Sequence, residues 1–138
     1  MLARWSAVGA LFAFLAVAAG AFGAHGLRDR LSVPQLVIYE VAVRYQMYHA
    51  LALVVLGLIA SRSATASATV AGWSFVIGIV LFSGSLYALS LSDIRAFGAI
   101  APFGGVAFLA GWGALAIGAW KNGRGTVKSR EVPESRAN

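Results

Sequence analysis

The chain has no cysteine, 3 prolines and only 12% charged residues. Without cysteine, disulfide scaffolds and thiolate zinc sites are excluded. A soluble domain carries about 25% charged residues, about double what is present here. A soluble fold of 138 residues still exposes a large surface that needs polar cover. The shortage of charge therefore excludes an ordinary soluble domain. Disorder needs low hydrophobicity, and 59% of this chain is hydrophobic. The sequence also lacks a P-loop, a glycine fingerprint after a strand, a nucleophile elbow and HExxH. The stretch from Gly20 to Gly26 (GAFGAHG) resembles a phosphate loop only in its glycine content.

What is there is a set of long apolar runs. About 20 apolar helical residues cross a hydrocarbon core about 30 Å thick. Four windows qualify, at about 5–24, 37–60, 70–91 and 98–120. The expected fold class is all-α: an integral membrane four-helix bundle occupying 1–121, followed by a basic, disordered cytoplasmic tail over 122–138. A signal peptide competes for the first window, with Arg4 as its basic start and Ala16-Val17-Ala18 as a cleavage site. The apolar run continues past that site and is long enough to span, which favours a retained helix. Ser32 can cap a helix that has Pro34 in its first turn. The second helix then runs to Ala60 and measures about 40 Å, longer than the core. Its first part, Gln35 to Arg44, must tilt, lie in the interface or project from it. The connection over 61–69 is a small polar loop, and Ser92 to Phe97 is another.

The net charge is +6, from 11 Lys and Arg against 5 Asp and Glu. These charges sit at the ends of apolar runs, not in a phosphate-binding stripe, so nucleic acid is not an expected partner. Arg4, Arg62, Lys121, Arg124, Lys128, Arg130 and Arg136 fall on one side of the membrane. Arg28, Arg30, Arg44 and Arg95 fall on the other. The positive-inside rule then places both termini in the cytoplasm, in a bacterial inner membrane.

Apolar surface gives helices no reason to associate in lipid, so close packing must do it. Small residues recur at four-residue spacing in three spans. Gly20, Gly78, Gly84, Gly104, Gly105 and Gly111 are the expected packing positions. They serve the bundle itself, a homo-oligomer, or both. Pro102, ahead of Gly104 and Gly105, marks either a simple start to the fourth helix or a broken entry over 96–101 that lines a site.

Polar groups near the spans are expensive to bury and carry the candidate site. Glu40 and Arg44 are i,i+4 partners in the favourable order, and Tyr48 shares their face. Tyr45, Gln46 and His49 lie on a neighbouring face. One reading is anchoring at the headgroups. The other is a shared polar site of His25, Glu40, Arg44, Tyr48 and His49, completed by Ser83, Ser85 and Tyr87. Its serines either bond to their own helix or turn toward His49. Two histidines that met could ligate a metal or haem, or pass protons, yet are too few for a closed zinc site. No metal, cofactor or catalytic residue is expected. Asp93 is expected to pair with Arg28, Arg30 or Arg44.

Four motifs arrive in order: GAFGAHGL over 20–27, RYQMYHALAL over 44–53, LFSGSLY over 81–87, and Pro102-Phe103-Gly104-Gly105 followed by Gly111-Trp112. Together they resemble the family of domain of unknown function 423. Its members are small bacterial inner-membrane proteins of the YgdD type, with a mitochondrial relative, transmembrane protein 256. The resemblance covers about 5–120 and leaves the tail outside. Phe103 stands where the family pattern has Ile or Leu, a conservative departure. The resemblance implies four spans and brings no established activity. The expected function is a non-enzymatic membrane component (accessory, assembly or lipid-interacting), with membrane lipid and a homo-oligomer or larger complex as partners. The alternative is a small channel or transporter for an ion or metabolite.

Overall fold

The structure, a computed structural model, describes residues 3–60 and 65–130. All the regular elements among them are helical. Helix α1 spans Ala3–Phe22 and runs into a π-helical turn, Gly23–Leu27. Helix α2 spans Val33–Ala60. Helices α3 (Ala66–Gly78) and α4 (Gly84–Ser92) are joined by a second π turn, Ile79–Ser83, into one continuous third span. A 3₁₀ turn, Arg95–Ala99, precedes α5, Ala101–Arg130. Four stretches are long and apolar enough to cross a membrane: Arg4–Leu27, Val33–Ile59, Ala66–Ser92 and Arg95–Lys121.

Local chemistry sets these boundaries. At the head of α2, the Gln35 side-chain oxygen accepts from the Ser32 N–H at 2.9 Å and from its hydroxyl at 2.8 Å. This is half of a capping box, and Pro34 sits where no helical N–H partner is needed. Thr65 caps α3, its hydroxyl oxygen accepting from the Ala68 N–H at 3.2 Å. Helix α3 therefore begins inside the stretch expected to be a loop; 61–64 lie outside the described residues, Arg62 among them. Asp93 ends the third span with φ 58° and ψ 15°. A short polar side chain tolerates that left-handed conformation, and the Asp93 N–H closes on Leu89 O at 2.9 Å. Asp93 makes no ion pair with Arg28, Arg30 or Arg44 among the described residues, contrary to expectation; the pairing there is Arg44 with Glu40. Pro102 falls in the first turn of α5 after a separate short turn. The fourth span thus opens with a separate turn ahead of its regular helix. Helix α5 continues through Arg130 into the stretch expected to be tail; the remainder of that tail, 131–138, lies outside the described residues.

Helices α1 and α2 form an antiparallel pair whose backbones nearly touch. A Cβ added to Gly9 would fall 2.6 Å from Ala50 O and 2.7 Å from Val54 N. Gly57 lies in the same way against the Ser6 backbone. Only glycine allows such an approach. The other pair is the third span with α5. Gly78 faces the Phe108 ring, Gly104 faces the Phe82 backbone in the π turn, and a Cβ on Gly111 would meet the Phe75 ring at 2.6 Å. Leu53, Leu56, Phe75, Ile79 and Phe108 fill the space between the pairs. Trp5 closes one end, seated over Gly72 and edge-on to Trp73 at 5.5 Å.

Three of the expected packing glycines, Gly78, Gly104 and Gly111, make these close approaches. Gly20 makes an ordinary contact with Val43 at 3.4 Å, and Gly84 and Gly105 have nothing within 4 Å. Four-residue spacing marks a narrow ridge but does not say which ridge faces a neighbour. Gly9→Val is expected to lower stability by about 1–3 kcal/mol through overpacking. Gly105→Ala should leave it unchanged or raise it by up to about 1 kcal/mol through helix propensity. Unfolding of the two purified variants in detergent, followed by circular dichroism, checks both signs.

Candidate functional site

Helix α2 carries a polar seam along its inner face, at Tyr39, Gln46 and His49. These positions are seven and three residues apart, so they share one face. The Tyr39 hydroxyl donates to Ala19 O at 2.9 Å. The Gln46 amide nitrogen donates to Phe12 O at 2.9 Å, and its oxygen accepts from the Tyr87 hydroxyl at 3.0 Å. Gln46 is 6% exposed and joins α1, α2 and α4. The Tyr87 ring also stands edge-on to Tyr39 at 5.0 Å. From the π turn, the Ser83 hydroxyl donates to Ala42 O at 2.8 Å, adding another tie to α2. Ser6 completes the α1–α2 seam, donating to Val54 O at 3.0 Å.

His49 is buried and tied to α5. Its Nδ1 lies 2.7 Å from Tyr45 O, and its Nε2 lies 3.2 Å from Trp112 Nε1. A carbonyl only accepts and an indole N–H only donates. The imidazole is therefore neutral, with its proton on Nδ1: Nδ1–H donates to Tyr45 O and Nε2 accepts from Trp112. The ring lies flat on Phe108, centroids 3.4 Å apart and planes within 5°. Neither nitrogen is left for a metal. His25 does not approach it. His49 lies beside the Gly9–Phe12 part of α1, and His25 is about 20 Å further along at about 1.5 Å per residue. Among the described residues no group of three His, Cys, Asp or Glu side chains is placed to hold a metal.

The expected single site thus separates into two sets. His49, Ser83, Ser85 and Tyr87 are turned inward, with Ser85 bonding its own helix at Phe82 O, 3.0 Å away. His25, Glu40, Arg44 and Tyr48 are turned outward. Every buried side-chain nitrogen and oxygen among the described residues has a hydrogen-bond partner. Three members of the buried hydrogen-bond network escaped the expected site. Gln46 and Tyr39 have the right period on α2, but the charges of Glu40 and Arg44 drew attention to another face. Trp112 gave no signal beyond its place in a motif.

Among the described residues, grooves of about 270 Å³ lie at two places on the outside. One lies between α2 and α5, is almost wholly apolar, and is lined by Tyr48, Leu51, Val55, Ile59, Trp112 and Leu115 among others. The other lies between the end of α1 and the start of α2. Gly20, Gly23 and Ala24 form its α1 wall, with Tyr39, Glu40 and Arg44 opposite. Arg44 Nη2 and Glu40 Oε2 stand 3.6 Å apart, with their side chains 58% and 70% exposed.

Residues 19–105 match the family model described as a protein of unknown function, DUF423. The chain belongs to that family. It is 54% identical over 114 residues to a UPF0382 membrane protein of Staphylococcus epidermidis, covering 83% of this chain and 93% of the relative. It is 53% identical over 114 residues to a UPF0382 membrane protein of Staphylococcus saprophyticus, covering 83% and 94%. The UPF0382 membrane protein YwdK of Bacillus subtilis is 49% identical over 115 residues, with coverage of 83% and 94%. No solved structure matches the chain. These names describe DUF423 relatives as membrane proteins and give no activity. The DUF423 match takes in both π turns, the whole of α2, and the groove with Glu40 and Arg44.

Trp112→Phe keeps the ring but leaves His49 Nε2 without a donor. Gln46→Leu removes both of that residue's bonds. The first is expected to lower stability by about 1 kcal/mol and the second by about 1–2 kcal/mol, in line with interhelical bonds in lipid. Equilibrium unfolding in detergent checks the ranking, and a Trp112→Phe protein as stable as wild type would remove the His49 link.

Proposed function

We propose that this DUF423 protein is a non-enzymatic component of the bacterial inner membrane that works through its lipid-facing surface, with both termini in the cytoplasm. One observation carries the reading. Among the described residues every buried polar side chain is already bonded, to a neighbouring helix or to its own, and the charged pair and the grooves face outward. Catalysis needs a nucleophile, acid or base placed against a reacting atom. In this interior the serines donate to carbonyls and His49 is held as a neutral double partner. A channel needs polar groups free to replace hydration along a passage. The same committed bonds stand against that alternative.

The orientation is supported by the seven Lys and Arg on the side of the termini against four on the other. Among the described residues the helices sort the charges to opposite ends. Arg4 and Lys121 lie at the end where α1 begins and the fourth span finishes, and Arg28, Arg30, Arg44 and Arg95 lie toward the other.

Two measurements test this. Vesicles reconstituted with the full chain should leak protons and monovalent ions no faster than empty vesicles. A sustained flux that His49→Ala abolishes would establish the channel reading instead. A phosphatase fused after Asn138 should stay inactive and a fluorescent protein at that position should mature, as both do in the cytoplasm; the opposite pair of results reverses the orientation.

A further inference from the structure

The groove between α1 and α2 has features that a purely apolar crevice lacks. Its depth comes first. Helix α2 has 28 residues, which is about 42 Å at about 1.5 Å per residue. Measured back from Ala60, about 30 Å of hydrocarbon ends near Glu40. The same length measured along α1 from Arg4 ends near Ala24. Glu40 and Ala24 both line the groove. It therefore lies where acyl chains give way to headgroups, with small residues on one wall and charge at its rim.

The rim presents one positive and one negative group side by side. At 3.6 Å and largely exposed, the Arg44–Glu40 pair is loose, and such pairs are worth little to stability. Each partner is free to take a better one. A guanidinium grips a phosphate through two parallel hydrogen bonds, and a carboxylate accepts from an ammonium. A zwitterionic headgroup carries those two charges in complementary order on one short link. The surrounding charge agrees. At this end Arg28, Arg30, Arg44 and Arg95 are nearly balanced by Asp29, Glu40 and Asp93, whereas the opposite end is strongly basic.

We infer that this groove is a binding site for one zwitterionic phospholipid. Arg44 holds the phosphodiester, Glu40 holds the ammonium, and the wall at Gly20 and Ala24 takes the glycerol and the first part of an acyl chain. The inference rests on the lipid-facing reading above and names its ligand.

The test is native mass spectrometry of the full chain released from nanodiscs of phosphatidylglycerol carrying a minority of phosphatidylethanolamine. Wild type should retain one phosphatidylethanolamine in preference to the more abundant phosphatidylglycerol. Arg44→Gln should lower that retention roughly tenfold, the loss of one charge-assisted contact. Glu40→Gln should instead reverse the preference toward phosphatidylglycerol, because an unopposed arginine suits an anionic headgroup. Both side chains are exposed, and unchanged unfolding midpoints confirm that the variants fold. Equal retention of the two lipids by wild type, or ethanolamine lipid that persists in both variants, overturns the site. So does a lipid-free dimer cross-linked through this groove. Any of these leaves the flux result standing, so the site can fail without the non-enzymatic reading failing.

Discussion

The Gln46 side chain ties two neighbouring spans to α2 at once. In lipid the apolar faces of helices are as well solvated by acyl chains as by one another, so burial of leucine does little to bring helices together. Close backbone contact and interhelical hydrogen bonds remain. Gln46 lies on α2 midway along the seam, and its amide satisfies a carbonyl of α1 while accepting from a tyrosine of α4. Two neighbouring spans are thereby fixed against α2 in both height and rotation. Gly9 and Gly57 bring the α1 backbone close enough for the first bond. Ser83 holds the third span close enough for the second.

The fourth span joins the same helix by other chemistry. Trp112 donates to His49, and Phe108 lies flat under the imidazole. The Tyr45 carbonyl fixes the tautomer from the opposite side. A second proton on this ring would set two N–H groups against each other at Nε2, so the packing itself requires the neutral form. A histidine in the middle of a span is by default a functional-site hypothesis. Here the donors and acceptors around it account for both nitrogens, and its role is to dock α5.

The number of spans and their helical type were legible because four charge-poor runs have the length of a bilayer. The start of α2 was legible from Ser32 and Pro34. The packing of α5 was half legible: Gly104 and Gly111 meet the third span, while Gly105, one residue away, meets nothing. Spacing names a ridge, and only the partner helix decides which side of it is covered. The π turn at Ile79–Ser83 left no mark in an apolar run, although it shifts the helical register just where Ser83 reaches Ala42. The candidate site was read as one cluster because its residues are close in sequence along α2. A helix spreads consecutive residues around its whole circumference, so Glu40 and Arg44 face out while Gln46 and His49 face in. His25 and His49 were brought together by a turn that connects their helices but sets them far apart along the axis.

The length of α2 explains why its two faces have such different chemistry. Its 28 residues exceed the hydrocarbon thickness by about 10 Å. A long span can tilt, or it can let one end emerge. The bonds from Tyr39 to Ala19 and from Gln46 to Phe12 tie α2 to a shorter partner along its length, which restrains tilt of α2 alone. The excess must then emerge at one end. Glu40 stands on the emerging turns and Arg44 one turn inside them, where its long side chain reaches out to the headgroups and the charged pair stays unburied. The inner face at that height is occupied by Tyr39, which covers the end of α1 at Gly23. The same constraint that closes the interior therefore sets a charged, partly walled surface at the level of the lipid headgroups.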